Sequence, residues 1–247
     1  MSQYLQSVEE FASLLQQHIK VEHIHYFDSY VFIKTDKVVV YIYFPGTDRL
    51  LDLHELPIIH IDIDRIINQS TSIIYRLKGL HGLGQRVYAR KTVVARIDKR
   101  VASAFLDEYH LQGAMPGKYR YGLFYEGELI SVAVFSGGRI MRDISSEYRS
   151  FELIRFCHKA DTLVIGGISK LIKAFVADFN PQDIMTYADR DWCSDSSLER
   201  IGFQVVGSLD PFTASIKDGK RLLYSSDHEG IDYSVANLGS IKLKLVL

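Results

Sequence analysis

The stretch LVIGGISKLIKAFVADFNPQDIMTYADRDWCSDSSLERIGF, residues 163–203, decides the fold. The apolar run 163–165 reads as a strand, and Gly166-Gly167 breaks it. An amphipathic helix follows over 169–179, and Pro181 stops it. Residues 183–187 read as a second strand. Residues 195–201 read as a short helix before Gly202-Phe203, and 204–207 as a further strand. A glycine turn that opens a helix has a specific chemical property. The first helical N–H groups lack intrahelical partners, the dipole favours an anion, and small residues allow close approach. The same Gly-Gly pair is equally compatible with a plain turn.

Working outward towards the N-terminus, residues 88–97 read as a strand and 99–109 as a helix with Val101, Ala102, Phe105 and Leu106 inward. A glycine-bearing turn (110–117) leads to strands at 119–125 and 129–135, joined by the tight turn Glu126-Gly127-Glu128. A loop around Gly137-Gly138 precedes a strand at 150–157. Further upstream, Val8, Phe11, Leu14, Leu15 and Ile19 lie at helical spacing. The runs 30–33, 37–44 and 57–63 are strand-like, and residues 64–77 suit a helix. GLHGLGQ (79–85) is glycine-rich and is taken as a linker. It divides the chain into 1–85, a small α/β domain, and 86–247.

The 247 residues suffice to bury a full core. Hydrophobic residues make up 47% and charged residues 24%, ordinary for a globular protein. A formal net charge of −1 excludes a global basic field. Charge is nonetheless uneven. Lys78, Arg86, Arg90, Lys91, Arg96, Lys99 and Arg100 face a single acid, Asp98, between 78 and 100. That run is either a solvated surface or a nucleic-acid contact. Two cysteines, Cys157 and Cys193, form neither a disulfide framework nor a zinc pattern. The N-terminal twenty residues are amphipathic rather than a signal peptide, and no apolar stretch is long enough to span a membrane. A cytoplasmic location is expected.

Several blocks carry a family resemblance. YARKTVV (88–94), EYHLQG (108–113), ELIRFC (152–157), VIGGISKLIKAF (164–175), TYADRDW (186–192), ERIGF (199–203) and NLGSIKLKL (237–245) resemble a group of phage-associated proteins. That group couples a GNAT-like acyltransferase domain, similar to the Mom-type DNA-modification proteins, to a degenerate or intact endonuclease-like region. The resemblance covers about two-thirds of the chain. It implies an α+β fold: a GNAT-like mixed, splayed sheet flanked by helices in roughly 90–210, with a small N-terminal α/β appendage and a C-terminal extension. It also implies acetyl-CoA or another acyl-CoA as cosubstrate, and an exocyclic nucleobase amine of DNA or another nucleic acid as acceptor.

The matching positions follow residue by residue. Gly166, Gly167, Ile168, Ser169 and Lys170 fall where the family holds the CoA pyrophosphate. The strand region 153–156 would polarise the thioester carbonyl. Asp189, in the polar cluster Asp189-Arg190-Asp191-Trp192, is a base or orients the acceptor amine; otherwise it caps a turn. Arg190 and Trp192 would contact a charged or planar substrate, unless Trp192 is core. His110 is a proton acceptor or a helix-end packing residue. Arg155, inside an apolar strand, requires an anionic or aromatic partner, either an internal pair with Glu152 or Asp189 or, as a substrate-binding residue, a ligand.

Two departures stand out. The short helix before Gly202 carries Leu198 where the family often has a Tyr that protonates the leaving thiolate; Ser196, Ser197 and Cys193 are the substitutes at hand. The Gln or Arg that commonly precedes the glycine turn is also missing, with Val164 nearest. An acyl-CoA binder with altered chemistry, or a non-catalytic nucleic-acid-binding accessory of a mobile element, is the competing reading. The N-terminal part lacks the Asp…Glu/Asp-x-Lys constellation of a restriction-type nuclease. Asp36-Lys37 has no partner carboxylate at the required spacing. Asp62 and Asp64 read as polar positions alternating on a strand. No metal site is expected there.

Overall fold

Alternating apolar runs and two helical periodicities organise the N-terminal third into sheet and helices. The computed structural model describes residues 2–51, 54–192, 198–222 and 230–247. It divides into two compact units. The first comprises Met1–His81, Ala188–Ser196 and Ser208–Ile241, and the second Gly82–Tyr187, Ser197–Gly207 and Lys242–Leu247. Segments 188–196 and 208–241, which the linear reading assigned to the 86–247 domain, thus fall in the unit that begins at the N-terminus.

In the first unit, α1 (Ser2–Gln16) and α2 (Ile63–Leu80) flank the strand segment in sequence. Between them run β1 (Val21–Tyr26), β2 (Tyr30–Thr35), β3 (Val39–Tyr43) and β4 (Ile58–Asp62). The sheet order is β1-β2-β3-β4, antiparallel except for the parallel β3–β4 pair. One face carries Val31, Ile33, Val40, Ile42, Ile59 and Ile61, all buried. Because side chains alternate along a strand, the other face carries Phe32, Tyr41, Tyr43, His60 and Asp62, which are neighbours in the cross-strand register. β1 (VEHIHY) has no fully buried residue, so apolar periodicity did not reveal it.

The second unit opens with β5 (Gln85–Tyr88), a 3₁₀ turn over Ala89–Lys91, β6 (Val93–Arg96) and α3 (Lys99–Tyr109). The single strand expected over 88–97 is therefore interrupted. Asp98 caps α3, its carboxylate accepting the N–H groups of Arg100 (2.7 Å) and Val101 (3.0 Å). Then come β7 (Tyr119–Tyr125), β8 (Glu128–Phe135), β9 (Arg139–Ile140), β10 (Arg149–His158), β11 (Thr162–Ile165), α4 (Gly167–Phe179) and β12 (Asp183–Asp189). The remaining strands are β13 (Gln204–Leu209), β14 (Thr213–Lys217), β15 (Lys220–Leu222), β16 (Tyr233–Ala236) and β17 (Ser240–Val246).

The principal sheet runs β13-β17-β12-β10-β8-β7-β6, with β9 on β10. β6–β7, β7–β8 and β8–β10 are antiparallel, whereas β10–β12 is parallel. It is the expected mixed sheet rather than a doubly wound parallel one. β10 and β12 pair only through Ser150–Glu152 and Asp183–Met185. Beyond that point the register between β10 and β8 shifts between Leu153 and Arg155, a bulge that bends the strand. The splay expected between these strands is present.

Aromatic packing holds α4 to the sheet. Phe175 stacks on Phe135 with centroids 4.0 Å apart and meets Phe151 edge-on at 5.1 Å. Ala102, Phe105 and Leu106 of α3 form a second cluster with Val132 and Val134. Because Val134 and Phe135 are adjacent on β8, they point to opposite faces, so α3 and α4 cover different faces of the sheet.

Candidate functional site

The opening of α4 is built by glycine. Gly166 is the N-cap in the left-handed region (φ +78°), and no side chain caps the helix. An L-residue is strained at that φ, whereas glycine adopts it freely. The first-turn N–H groups of Gly167, Ile168 and Ser169 are the donors that a helix leaves without intrahelical acceptors. Gly167 has a further constraint. A Cβ there would lie 3.1 Å from both Val164 and His158. Lys170 is committed to the scaffold, its ammonium donating to the carbonyls of Ala89 (2.8 Å) and Thr92. The strand leading into this turn is β11, which pairs in parallel with β5 in a separate two-stranded ribbon.

His158, at the end of β10, packs beside Gly167. Its Nδ1 lies 2.5 Å from Ser131 Oγ, and its ring packs edge-on to Phe156 at 4.8 Å. The sequence signal was weak, a lone histidine at a strand end. Where β10 and β12 begin to separate, Thr186 Oγ donates to the Leu153 carbonyl at 2.8 Å. That bond lies one residue beyond the last paired residue of β10.

Arg155 is half-buried and donates to the carbonyls of Ile154 (2.9 Å) and Gly113 (3.3 Å). Desolvation lowers its pKa, opposed by the charge of Glu152. It therefore ties the 110–117 turn to β10. His110 ends α3 as its C-cap, and its Nδ1 accepts the Gln112 N–H at 3.1 Å.

Asp189, Arg190 and Trp192 belong to the first unit. Asp189 closes β12, and its Oδ1 accepts the Asp191 N–H at 3.1 Å. Burial, and then the neighbouring Asp191 charge, push its pKa above the ordinary carboxylate value, with Arg65 and Arg49 acting in the other direction. Arg190 is exposed and its side chain donates to the Leu238 carbonyl at 3.3 Å, while the backbone N–H of half-buried Trp192 donates to the backbone carbonyl of Asp189 at 3.1 Å. Leu198 starts a 3₁₀ turn, its carbonyl accepting the N–H groups of Ile201 (3.1 Å) and Phe203 (3.2 Å). Cys193, Ser196 and Ser197, the substitutes named for the missing Tyr, lie outside the described residues.

The first unit also contains a buried ion network that the sequence reading missed. Arg49 donates to both oxygens of Asp62 (2.5 and 3.0 Å) and to Asp191 (2.8 Å). Arg221 donates to Asp62 (2.8 Å) and to both oxygens of Asp64 (2.9 and 2.7 Å). Asp62 and Asp64 are therefore not simple polar alternation on a strand. The signal lay in the run IIHIDIDRII (58–67), where two acids sit among isoleucines, since a buried acid needs a buried cation. Desolvation pushes the Asp62 carboxyl up, but Arg49 and Arg221 outweigh it and hold the pKa below its ordinary value. His60 hydrogen-bonds Tyr43 Oη at 2.7 Å, and burial pulls its pKa down to about 4, so it is neutral at pH 7. Among the described residues no cluster of His, Cys, Asp or Glu is arranged to hold a metal ion. No helix among them is long and apolar enough to cross a membrane.

No protein-family model matches the chain, and no curated protein sequence does. Several solved structures align with it at low identity. A GNAT family acetyltransferase from Elizabethkingia anophelis, with acetyl-CoA bound, is 11% identical with a TM-score of 0.38, over 64% of this chain and 99% of that one. A Bacillus subtilis acetyltransferase in complex with CoA is 16% identical, with a TM-score of 0.39, over 64% and 99%. The ribosomal-protein-S18-alanine N-acetyltransferase of Escherichia coli is 11% identical, with a TM-score of 0.40, over 63% and 93%.

Proposed function

We propose that the second unit is an acyl-CoA-dependent N-acyltransferase. The observation that carries this reading is the separation of β10 from β12 after three paired residues, together with a helix opened by glycine and left without a side-chain cap. A splayed parallel pair exposes strand backbone to an extended ligand, and an uncapped helix start offers N–H groups to a pyrophosphate. The residues fit such a ligand. The amides of Gly167, Ile168 and Ser169 would hold the phosphates, with Gly166 keeping the approach free of side chain. Lys170 would fix the helix start rather than touch the ligand. When bound, acyl-CoA supplies the activated acyl thioester. The backbone N–H groups of 153–156 would orient and polarise the acyl carbonyl.

The acceptor is proposed to be an amine, and the family resemblance points to an exocyclic nucleobase amine. Arg86, Arg90, Lys91, Lys99 and Arg100 are all exposed, as a phosphate-contacting surface requires. The first test is thermal unfolding with acetyl-CoA and with CoA. A ligand at one hundred times its Kd adds about 2.7 kcal/mol to stability. Saturable stabilisation by both, followed by acetyl transfer to adenine-containing DNA, is the expected result. An unchanged Tm at millimolar acetyl-CoA would sink the acyltransferase reading. Salt-sensitive DNA binding without CoA binding would favour the accessory-protein reading instead.

A further inference from the structure

We propose that Tyr88, Arg90 and Lys91 form the site for the nucleotide end of acyl-CoA, with the ring under its adenine and the two cations on its ribose 3′-phosphate. The assignment rests on the acyl-CoA reading of the second unit and gives that site its selectivity for the phosphorylated nucleotide. It takes Arg90 and Lys91 from the acceptor surface. The ribbon of β5 and β11 supplies the platform. Val87 pairs with Val164, and Tyr88 with Ile165. Paired side chains share a face and successive ones alternate. Val87 and Val164 are accordingly buried together, whereas Tyr88 and Ile165 are 47% and 50% exposed on the other face. Ile165 immediately precedes Gly166, so this aromatic–aliphatic pair lies at the lip of the turn that opens α4. An exposed ring there offers a surface on which a purine stacks.

The 3₁₀ turn after β5 is fastened to the same place. Lys170, on the first turn of α4, donates to the carbonyls of Ala89 (2.8 Å) and Thr92, and Thr92 Oγ1 donates to Ala89 O at 2.7 Å. A Cβ at Gly166 would lie 3.7 Å from the Ala89 Cβ. Arg90 and Lys91 therefore stand beside the opening of α4 on a short, bonded turn. Both are exposed, and among the described residues neither side chain takes part in an ion pair or a hydrogen bond. The Arg90 guanidinium lies 5.2 Å from the centroid of the Tyr88 ring. The first turn of α4 contains no acid. Cations gathered at the positive end of a helix dipole are unfavourable on their own, and an anion shared between them reverses the sign. The helix amides already match a pyrophosphate. A further phosphate on the ribose accounts for Arg90 and Lys91, which it meets in charge-assisted hydrogen bonds.

The experiment is calorimetric titration of the full chain with CoA and with dephospho-CoA, which lacks only the ribose 3′-phosphate. CoA should bind about ten-fold tighter or more. In the double variant Arg90→Gln, Lys91→Gln that preference should shrink to less than about two-fold, with Tm and dephospho-CoA affinity retained, because the loss is confined to the phosphate contacts. Tyr88→Leu should weaken both ligands by about five-fold or more and keep the preference, because adenine stacking is common to both. Equal binding of the two ligands by the native chain, or a preference that survives in the double variant, would overturn the subsite and leave the acyl-CoA reading standing. Binding of neither ligand at millimolar concentration would overturn both. Weakened duplex-DNA binding in the double variant, with the CoA preference unchanged, would return Arg90 and Lys91 to the acceptor surface and overturn the subsite.

Discussion

Asp62 and Asp189 show how opposite environments set two carboxylates of the same unit. Asp62 lies between Arg49 and Arg221 with only 4% of its side chain exposed. Removing its charge leaves two buried guanidinium groups short of a counter-ion. Asp62→Asn should therefore lower the unfolding free energy by about 3–5 kcal/mol, measured by urea denaturation at pH 7. Because its folded pKa is depressed, the stability it contributes is complete above about pH 4, its unfolded pKa, and is lost as pH falls through the lower folded value. Asp189 has the reverse sign. Its raised folded pKa means that the ionised form weighs against the fold, a cost that is relieved as pH falls through the folded pKa and is gone below the unfolded one. Asp189→Asn mimics the protonated form. It should leave stability at pH 7 equal or slightly higher, by no more than about 1 kcal/mol, and any advantage should shrink as pH falls. If Asp189 also serves the acceptor, the same variant should reduce turnover by roughly 10²–10⁴, with His110→Ala costing less. Full activity in Asp189→Asn, or outright unfolding, would make it a structural residue only.

At the scale of elements, the glycine-opened helix and the splayed strands make separable predictions. Gly167→Glu is a poor probe of phosphate binding, because even a Cβ at 167 crowds Val164 and His158. Ser169 is half-buried on the first turn, so Ser169→Glu places a negative charge at the proposed anion site with less disturbance. Calorimetry should show CoA affinity falling more than ten-fold, with Tm retained, from like-charge repulsion. Gly166→Ala tests the turn itself. Forcing a Cβ into the left-handed region should cost about 1–2 kcal/mol of stability. Thr186→Val removes the bond to the Leu153 carbonyl at the root of the splay and should cost about 1 kcal/mol. The strand reading of 163–165 was sound, but its partner was not legible. β11 pairs with β5, 77 residues earlier and outside the principal sheet, a choice made by long-range register rather than by local composition.

For the whole molecule, the decisive fact is that the first unit is discontinuous in sequence. Asp62 and Asp64 lie in the N-terminal segment, whereas Asp191 and Arg221 come from the two later ones. A fragment ending at residue 85 keeps the acids and Arg49 but loses Arg221, and should fail to unfold cooperatively by circular dichroism. A sharp transition in that fragment, comparable to that of the full chain, would refute the role given to the later segments.

Local periodicity was enough to place α1, α3, α4 and the strands β2 to β4, β7, β8, β10 and β12, because each carries an apolar pattern of its own. The mixed splayed sheet was not read from periodicity but was implied by the family resemblance that the order of those elements carries. The glycine turn before α4 was legible for the same reason, since left-handed backbone selects glycine locally. What only the tertiary structure decided has no local signature. Exposed β1, the ribbon β5–β11, and the return of 188–196 and 208–241 to the N-terminal unit depend on pairing across long stretches of chain. The partners of Asp62 and Asp64 are likewise set at a distance. A buried carboxylate requires a cation, but the chain alone does not say that Arg49, 13 positions away from Asp62, and Arg221, 159 positions away, are the ones that fold against it.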